Sequence, residues 1–411
     1  MDRSNPLQLN LFTEVLHAYT AEREGRLDNA TLYRDVADRA GIPEEAFAER
    51  APVGKDGQLH SLLARQVRWH QQTLKHAGIL QKVEDERGWW KLTKPAKKDL
   101  SEVGRGVALI GFSTELGAAI LGHCDHVFAA IDSPITLVIT SPPYPLTRAR
   151  SYGNVPLSMY VDWIVNTIAP VVKNMVAGAS ICINLSNDKF VPGSPARSTY
   201  LERLTLALED RLGLHLMDRL VWSNPAKAPG PVKYASIDRT QLNVGWEPVL
   251  WMTTDPHRVR SNNRRVLQAH TQRHLDLIAK GGEQREVRYS DGAYSLKVGS
   301  FGNPTAGRIP RNVLTFGHNC ADQRAYKQAA RAQGLKAHGA PMPLSLAKFL
   351  IEFLTEPGEV VADPFGGSFT TAKAAELLGR RWLSTECMAE YVIGSAFRFR
   401  EQPGFIQHLA A

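Results

Sequence analysis

Over the first hundred positions, apolar residues recur at helical spacing. Leu9–Thr20 carries Phe12, Val15, Leu16 and Tyr19, and Asn29 or Thr31 can cap a second helix that runs to Ala40 and stops at Gly41 and Pro43. A third stretch, Leu59–Ala77, places Leu62, Leu63, Val67, Leu74 and Ala77 on one helix face, with Gly78 as terminator. Ile79–Val83, a charged turn through Gly88 and Trp89–Thr93 then read as a β-hairpin. From about residue 105 the pattern changes. Ile135–Ile139, Ala179–Leu185, Leu216–Trp222, Pro248–Met252 and Val360–Ala362 are short buried-strand runs. Between them, Tyr160–Val176, Tyr200–Leu212, Ser345–Leu354 and Phe369–Leu378 have helical character. Alternation of this kind predicts an α/β fold with a doubly wound sheet. Residues 256–336 break the rhythm and read as an insertion.

The chain of 411 residues is long enough for two or three domains and a large core. The pattern divides it into 1–100, 105–255, 256–336 and 337–411. With 43% hydrophobic and 22% charged residues, disorder throughout is excluded. Cys124, Cys182, Cys320 and Cys387 are far apart without a CxxC, which argues against a disulfide framework or zinc ribbon, and no metal is expected. The start lacks the apolar core of a signal peptide, and no run approaches the length of a membrane span. These features predict a soluble, cytoplasmic protein of a reducing compartment with no membrane partner.

Charge is distributed unevenly. Residues 257–336 hold 15 Lys/Arg against five Asp/Glu, whereas the whole chain has a net charge of +8, so the remainder is slightly acidic. A concentrated basic excess favours a polyanionic partner through phosphate contacts and counterion release; the alternative is a solvated basic face. In the N-terminal unit, three helices followed by a hairpin resemble a winged-helix domain of the kind that accompanies some DNA-acting enzymes. Arg65, Arg68 and the lysines at 91–98 suit phosphate contact there, with a packing or homodimerisation module as the alternative.

Two segments carry the chemistry. Thr140-Ser141-Pro142-Pro143-Tyr144 follows a predicted buried strand, where ligand sites of such sheets lie. The consecutive prolines remove two backbone donors and leave nearby carbonyls free to accept from a ligand. The Ser141 hydroxyl adds an acceptor and Tyr144 a stacking face, a set suited to the exocyclic amino group of an extruded base. A strand-terminating Pro-Pro turn is the bland alternative. The second segment, Val360–Thr371, reads strand, Gly-rich turn (Asp363-Pro364-Phe365-Gly366-Gly367-Ser368) and helix start. Its glycines let a ligand approach the backbone, and a helix N-terminus offers unpaired N–H groups. Glu386 ends the next predicted strand about 20 residues beyond the glycines, a distance suited to ribose hydroxyls. Neither GxGxxG nor a Walker lysine is present, which disfavours NAD and ATP.

TSPPY followed far downstream by DPFGGSFTT resembles the β-class DNA amino-methyltransferases over roughly residues 107–397. His338 to Pro343 is similar to the family's additional cofactor segment, and Gly379 through Glu386 to its acidic strand end. Trp222-Ser223-Asn224-Pro225 and Trp246-Glu247-Pro248 fit its later strands. Phe369 departs from the family's usual glycine after Gly-Ser, and Ser384 from a glycine common before the acidic residue. The resemblance implies a Rossmann-like methyltransferase domain that uses S-adenosylmethionine on double-stranded DNA, as in restriction-modification systems. It implies that Ser141 and the Pro142 carbonyl accept from the target amino group, with Pro143 completing the turn and Tyr144 stacking on the base. It further implies that Asp363, Phe365, Gly366 and Gly367 line the cofactor, flanked by Thr140, Ser368 and Thr370, while Glu386 holds the ribose and His338 and Pro341 border the pocket.

The family places target recognition between its two motifs. That implies a DNA-recognition role for residues 256–336, where Arg258, Arg260, Arg264, Arg265, Arg308 and Arg311 are candidates for contact with DNA, either to base edges or to phosphates. Serine-first motifs in this family usually accompany N4-cytosine methylation, and Asp- or Asn-first motifs N6-adenine. Cytosine is therefore favoured and adenine stays open. None of the four cysteines follows a proline, which disfavours C5-cytosine chemistry. Rival readings are a non-catalytic DNA-binding regulator on the same fold and an RNA methyltransferase. The helix carrying Asp162 and Trp163 and the strand carrying Trp251 read as core, and His257, His270, His274 and His318 lack the partners of a metal site.

Overall fold

The structure is a computed structural model that describes residues 25–53, 58–76, 79–84, 86–93, 102–145, 155–318 and 320–409, with 14, 15, 18, 19 and 22 besides. Most of the expected helix 9–20, the 94–98 lysines and residues 146–154 lie outside the described residues.

The N-terminal unit contains β1 (Arg26–Asp28), β2 (Ala51–Val53), β3 (Gln58–His60), β4 (Leu80–Lys82) and β5 (Trp89–Leu92). The expected hairpin is present as β4–β5, but β1 adds to it to give the order β1-β5-β4. Three residues, Arg-Leu-Asp, are too few to show alternation, so that strand was not legible. The helix Asn29–Ala40 is capped by Asp28, not by Asn29 or Thr31: its carboxylate accepts from the N–H groups of Ala30 and Thr31 at 2.8 and 3.1 Å. Gly41, left-handed at φ 63°, ends it as expected. The helix Leu62–His76 buries Val67 and Leu74 and leaves Arg65 and Arg68 exposed.

The larger unit contains β6 (Ala108–Ser113), β7 (Gly117–Gly122), β8 (Ile135–Thr140), β9 (Met175–Asn184), β10 (His215–Ser223), β11 (Trp246–Thr253), β12 (Val287–Tyr289), β13 (Tyr294–Leu296), β14 (Val313–Thr315), β15 (Val360–Asp363), β16 (Arg381–Glu386) and β17 (Ile406–Gln407). Among the described residues, one mixed sheet runs β14-β10-β11-β9-β8-β15-β16-β7-β6-β17. Helices cover both faces. Leu137 and Ile139 of β8 pack in the layer of Leu344–Leu354, Thr370–Leu377 and Ala389–Ala396. Val138 and, beyond a register shift, Ile135 pack in the layer of Cys124–Ala130, Tyr160–Lys173 and Tyr200–Leu212.

Two features of the topology position the site. β8 and β15 are parallel neighbours, but the chain leaves β8 toward β9 and β15 toward β16, on opposite sides. That makes a switch point, and the crevice opens at the carboxyl ends of these strands. The second feature is that β11 runs antiparallel to β9, with Thr253 opposite Ser180. The chain therefore leaves β11 at the amino end of the parallel strands, and it rejoins the sheet as β14, parallel to the last residues of β10 with Val313 opposite Val221. The helix Ala321–Ala332 packs into the main body, where Gln323 is buried against Thr370 and Asp322 pairs with Arg398.

Candidate active site

At the carboxyl ends of β8, β15 and β16 lies a cavity of about 480 Å³. Ser141 to Tyr144 form one wall; Phe365, Gly367, Glu386 and His338 form the other. The two sequence segments, more than two hundred residues apart, thus meet as expected. Their strands are joined directly: Thr140, at the end of β8, donates to Asp363 Oδ1 at 2.8 Å. Asp363 also accepts from the Phe365 N–H at 3.1 Å, which folds the turn after β15. Burial pushes its carboxyl up to about 6, against the lowering effect of the Thr140, Thr371 and Phe365 bonds.

Glu386 has both oxygens engaged by backbone, accepting from Gly367 N–H and Met388 N–H, each at 2.8 Å. Burial raises it to about 7, and those backbone bonds pull it down. Gly367 sits at φ 53°, and a Cβ there would stand 3.2 Å from His338 Nε2; a Cβ on Gly366 would stand 2.6 Å from Ser384 Oγ. Both glycines are therefore demanded by close approach. Ser384 in turn donates to the Asp363 carbonyl at 3.1 Å and ties β16 to β15. Phe369, in the family's usual glycine position, is left-handed at φ 55°, which explains why glycine is common there. Here a buried aromatic occupies that conformation and packs edge-on to Phe112.

Several expected cofactor residues sit behind the cavity wall. Thr140 and Asp363 are bonded to each other, and Ser368 and Thr370 are buried together with Arg398. These four, with Gly366 and Pro341, do not line the cavity. They shape the turn that presents Phe365 and Gly367. The helix Tyr160–Lys173 is core as expected, and its Trp163 packs on that core while lining the cavity and lying against Phe365 at 5.6 Å. On the outer side of the same helix Asp162 is exposed and pairs with Arg211, and Trp251 is buried in its strand as expected.

On the opposite wall the Tyr144 hydroxyl lies 2.9 Å from Asn184 Oδ1 and 3.0 Å from Glu247 Oε2, its single proton shared between the two acceptors. Ser141 Oγ lies 3.3 Å from that hydroxyl. Burial, and next the Glu247 charge, push the Tyr144 phenol well up, so it stays protonated. Glu247 also holds an ion pair with Lys227. Asn184, Lys227 and Glu247 were missed from sequence, because each belongs to an element distant in the chain. The one available signal is that Asn184 is polar at the end of an apolar run. Cys124 and Cys387 also line the cavity, but burial raises both thiols, so neither supplies a thiolate.

The structure does not bring the six arginines to this cavity. Arg260 pairs with Glu359, and Arg265 with Glu356 and the carbonyls of Phe353 and Thr355. Arg264 lies in the turn Asn263–Val266, and the Arg258 carbonyl abuts Gly178 at the start of β9. Arg308 bonds the Ala269 carbonyl at 3.2 Å, and Arg311 lines a separate cavity beside Asp218. Arg258, Arg260, Arg264 and Arg265 are thus rooted at the amino ends of the strands, and Arg311 lies beside the middle of β10. The reason is the direction of β11, which chain order does not reveal. The loops at the cavity mouth are instead 185–199 and 224–245. They meet through Phe190 and Tyr234, with ring centroids 4.8 Å apart, and carry Lys189, Arg197, Lys233 and Arg239. Among the described residues, no group of three or more His, Cys, Asp or Glu could hold a metal, and no helix is long and apolar enough to cross a membrane.

Comparison with known proteins agrees with this architecture. Residues 135–396 match the N6/N4 family model described as DNA methylase, and residues 10–102 match the Mrr N-terminal domain. The Type II methyltransferase M.PvuII of Proteus hauseri is 32% identical over 289 residues, covering 70% of this chain and 85% of that protein. The DNA adenine methyltransferase YhdJ of Escherichia coli is 23% identical, covering 63% of this chain and 74% of its own. The solved structure of the PvuII DNA methyltransferase (cytosine-N4-specific) superposes with a TM-score of 0.54 at 29% identity, covering 70% of this chain and 88% of that one.

Proposed function

The chain belongs to the N6/N4 DNA methylase family and is an S-adenosylmethionine-dependent DNA amino-methyltransferase, and we propose that its methyl acceptor is the N4 amino group of a cytosine extruded from duplex DNA. One observation carries the reading: Ser141 to Tyr144 line the same cavity as Gly367 and Glu386. The bound cofactor supplies an electrophilic methyl group on sulfonium. Glu386 is positioned for its ribose hydroxyls, and the tight backbone at Gly367 for its close approach. Across the cavity, Ser141 Oγ and the Pro142 carbonyl accept from the two amino hydrogens while the Tyr144 ring backs the base. An aromatic amine is a poor nucleophile, because its lone pair is delocalised into the ring. Acceptors on both hydrogens favour the pyramidal form, each contributing on the order of 1 kcal/mol net and more in a dry site. Holding amine and methyl in line provides much of the remaining rate.

Serine as the first residue of the motif, and similarity to a protein described as cytosine-N4-specific, favour cytosine. DNA would approach the 185–199 and 224–245 loops, where Lys189, Lys233 and Arg239 share one end of the sheet with the cavity. Winged-helix contacts from Arg65 and Arg68, and homodimer formation through the N-terminal unit, belong to the same reading as further proposals. The test is tandem mass spectrometry of nucleosides from duplex DNA incubated with the protein and S-adenosylmethionine. N4-methylcytosine is expected. N6-methyladenine would overturn the base assignment, and methylation of RNA in preference to duplex DNA would overturn the substrate. Absence of both methylation and cofactor binding would point to a non-catalytic regulator.

A further inference from the structure

Methylation of an amino group leaves a proton to be removed, and the acceptors touching the base have no net capacity for it. Ser141 is a neutral hydroxyl, and the Pro142 carbonyl is not basic. Asn184, which accepts from Tyr144 at 2.9 Å, is an amide and cannot take a proton either. The hydroxyls nevertheless continue past Asn184. Ser141 Oγ is 3.3 Å from Tyr144 Oη, and Tyr144 donates to Glu247 Oε2 at 3.0 Å. Glu247 reaches this point because β11 pairs with β9, on which Asn184 is the last residue. Its other oxygen accepts from the Lys227 ammonium. Of the charged groups lining the cavity, Glu247 is the carboxylate bonded to the base-binding segment; Glu386 is bonded to Gly367 and Met388 on the opposite wall.

We propose that Glu247 is the terminal proton acceptor of the methyl transfer, acting through Tyr144 and Ser141. The inference rests on the assignment of residues 141–144 to the target base. As the nitrogen lone pair forms the N–CH3 bond, the S–CH3 bond breaks with its electron pair left on sulfur. The nitrogen then sheds a proton to Ser141 Oγ, the Ser141 proton moves to Tyr144 Oη, and the Tyr144 proton moves to Glu247. The sulfonium charge and the carboxylate charge disappear together, so net charge is conserved. Glu247 is a positioning residue in that it acts on the base only through the two hydroxyls. Tyr144 thereby has two separable parts: a ring that backs the base and a hydroxyl that conducts.

The experiment compares Glu247→Gln, Tyr144→Phe and the double variant with the parent. Single-turnover methyl transfer is measured across pH, S-adenosylmethionine binding by calorimetry, and target-duplex binding with 2-aminopurine in place of the flipped base. Both single variants keep the packing volume, and circular dichroism checks folding. The expected result is near-parental binding of cofactor and duplex with a loss of transfer rate of about 10²-fold or more, the scale of positioned acid–base catalysis. The double variant should be no slower than the worse single variant, because both interrupt one path. Parental turnover in Glu247→Gln, or losses that multiply in the double variant, would overturn the relay. If Glu247→Gln fails to fold, Tyr144→Phe alone decides: an unchanged transfer rate overturns the relay. A parent that does not change 2-aminopurine fluorescence would instead show that the base site itself is misassigned.

Discussion

Thr140 and Asp363 are joined by a buried hydrogen bond of 2.8 Å between the last residue of β8 and the last residue of β15. Although 223 positions apart, they fix the two strand ends from which the 141–144 and 365–367 segments depart. Thr140→Val leaves a buried carboxyl short of a donor and should cost about 1–3 kcal/mol of stability, read from denaturant unfolding. Asp363→Ala should weaken S-adenosylmethionine binding, because the turn to Phe365 and Gly367 loses its anchor; unchanged calorimetric titration would refute this. Asp363→Asn keeps the Oδ1 acceptor and should bind nearly as the parent does. In the folded protein the Asp363 carboxyl is raised from 3.8 to about 6, so ionisation costs stability. That cost is absent below about pH 4 and complete above about pH 6. Relative to the parent, Asp363→Asn should therefore gain stability as pH rises through this window.

With Glu386 assigned to the ribose as proposed, cofactor binding should depend on pH. Ribose hydroxyls donate to a carboxylate, and in the free protein burial holds this carboxyl near 7. Binding must then release a proton below neutrality. Affinity should fall as pH drops below about 7, approaching about tenfold per pH unit well below it. Glu386→Gln should bind more weakly and lose that dependence. Calorimetry in buffers of different ionisation enthalpy measures the released proton directly.

Phe369 sets backbone strain against packing. A left-handed aromatic residue costs about 1–2 kcal/mol, whereas removal of a fully buried phenylalanine costs about 3–5 kcal/mol. Packing wins, so Phe369→Gly should destabilise the protein despite relieving the backbone. A higher melting temperature for the glycine variant would show that strain dominates.

The two ends of the sheet should respond differently to DNA. Lys233→Ala and Arg239→Ala, at the cavity mouth, should weaken duplex binding and each reduce the salt slope by about one. Arg264→Ala, at the opposite end, should leave both affinity and site preference near the parent's. Binding to target and scrambled duplexes at two salt concentrations tests this. Altered site preference in Arg264→Ala would restore the insertion as the reader.

The local pattern alone determined the alternation of strands and helices, the Gly41 stop, the β4–β5 hairpin and the two chemical segments. These are short-range properties, set by side-chain period and by glycine and proline geometry. The segments at 141–144 and 365–367 could also be paired from chain order, because family resemblance fixed their sequence. Tertiary structure alone decided which end of the sheet each loop occupies. The basic excess at 257–336 was plain in composition, yet strand direction is a long-range property, and the antiparallel β11 carries the insertion away from the cavity. Strand pairing likewise created the Ser141–Tyr144–Glu247 path, since a carboxylate in one strand gains its meaning only from the hydroxyl that register places 3.0 Å away.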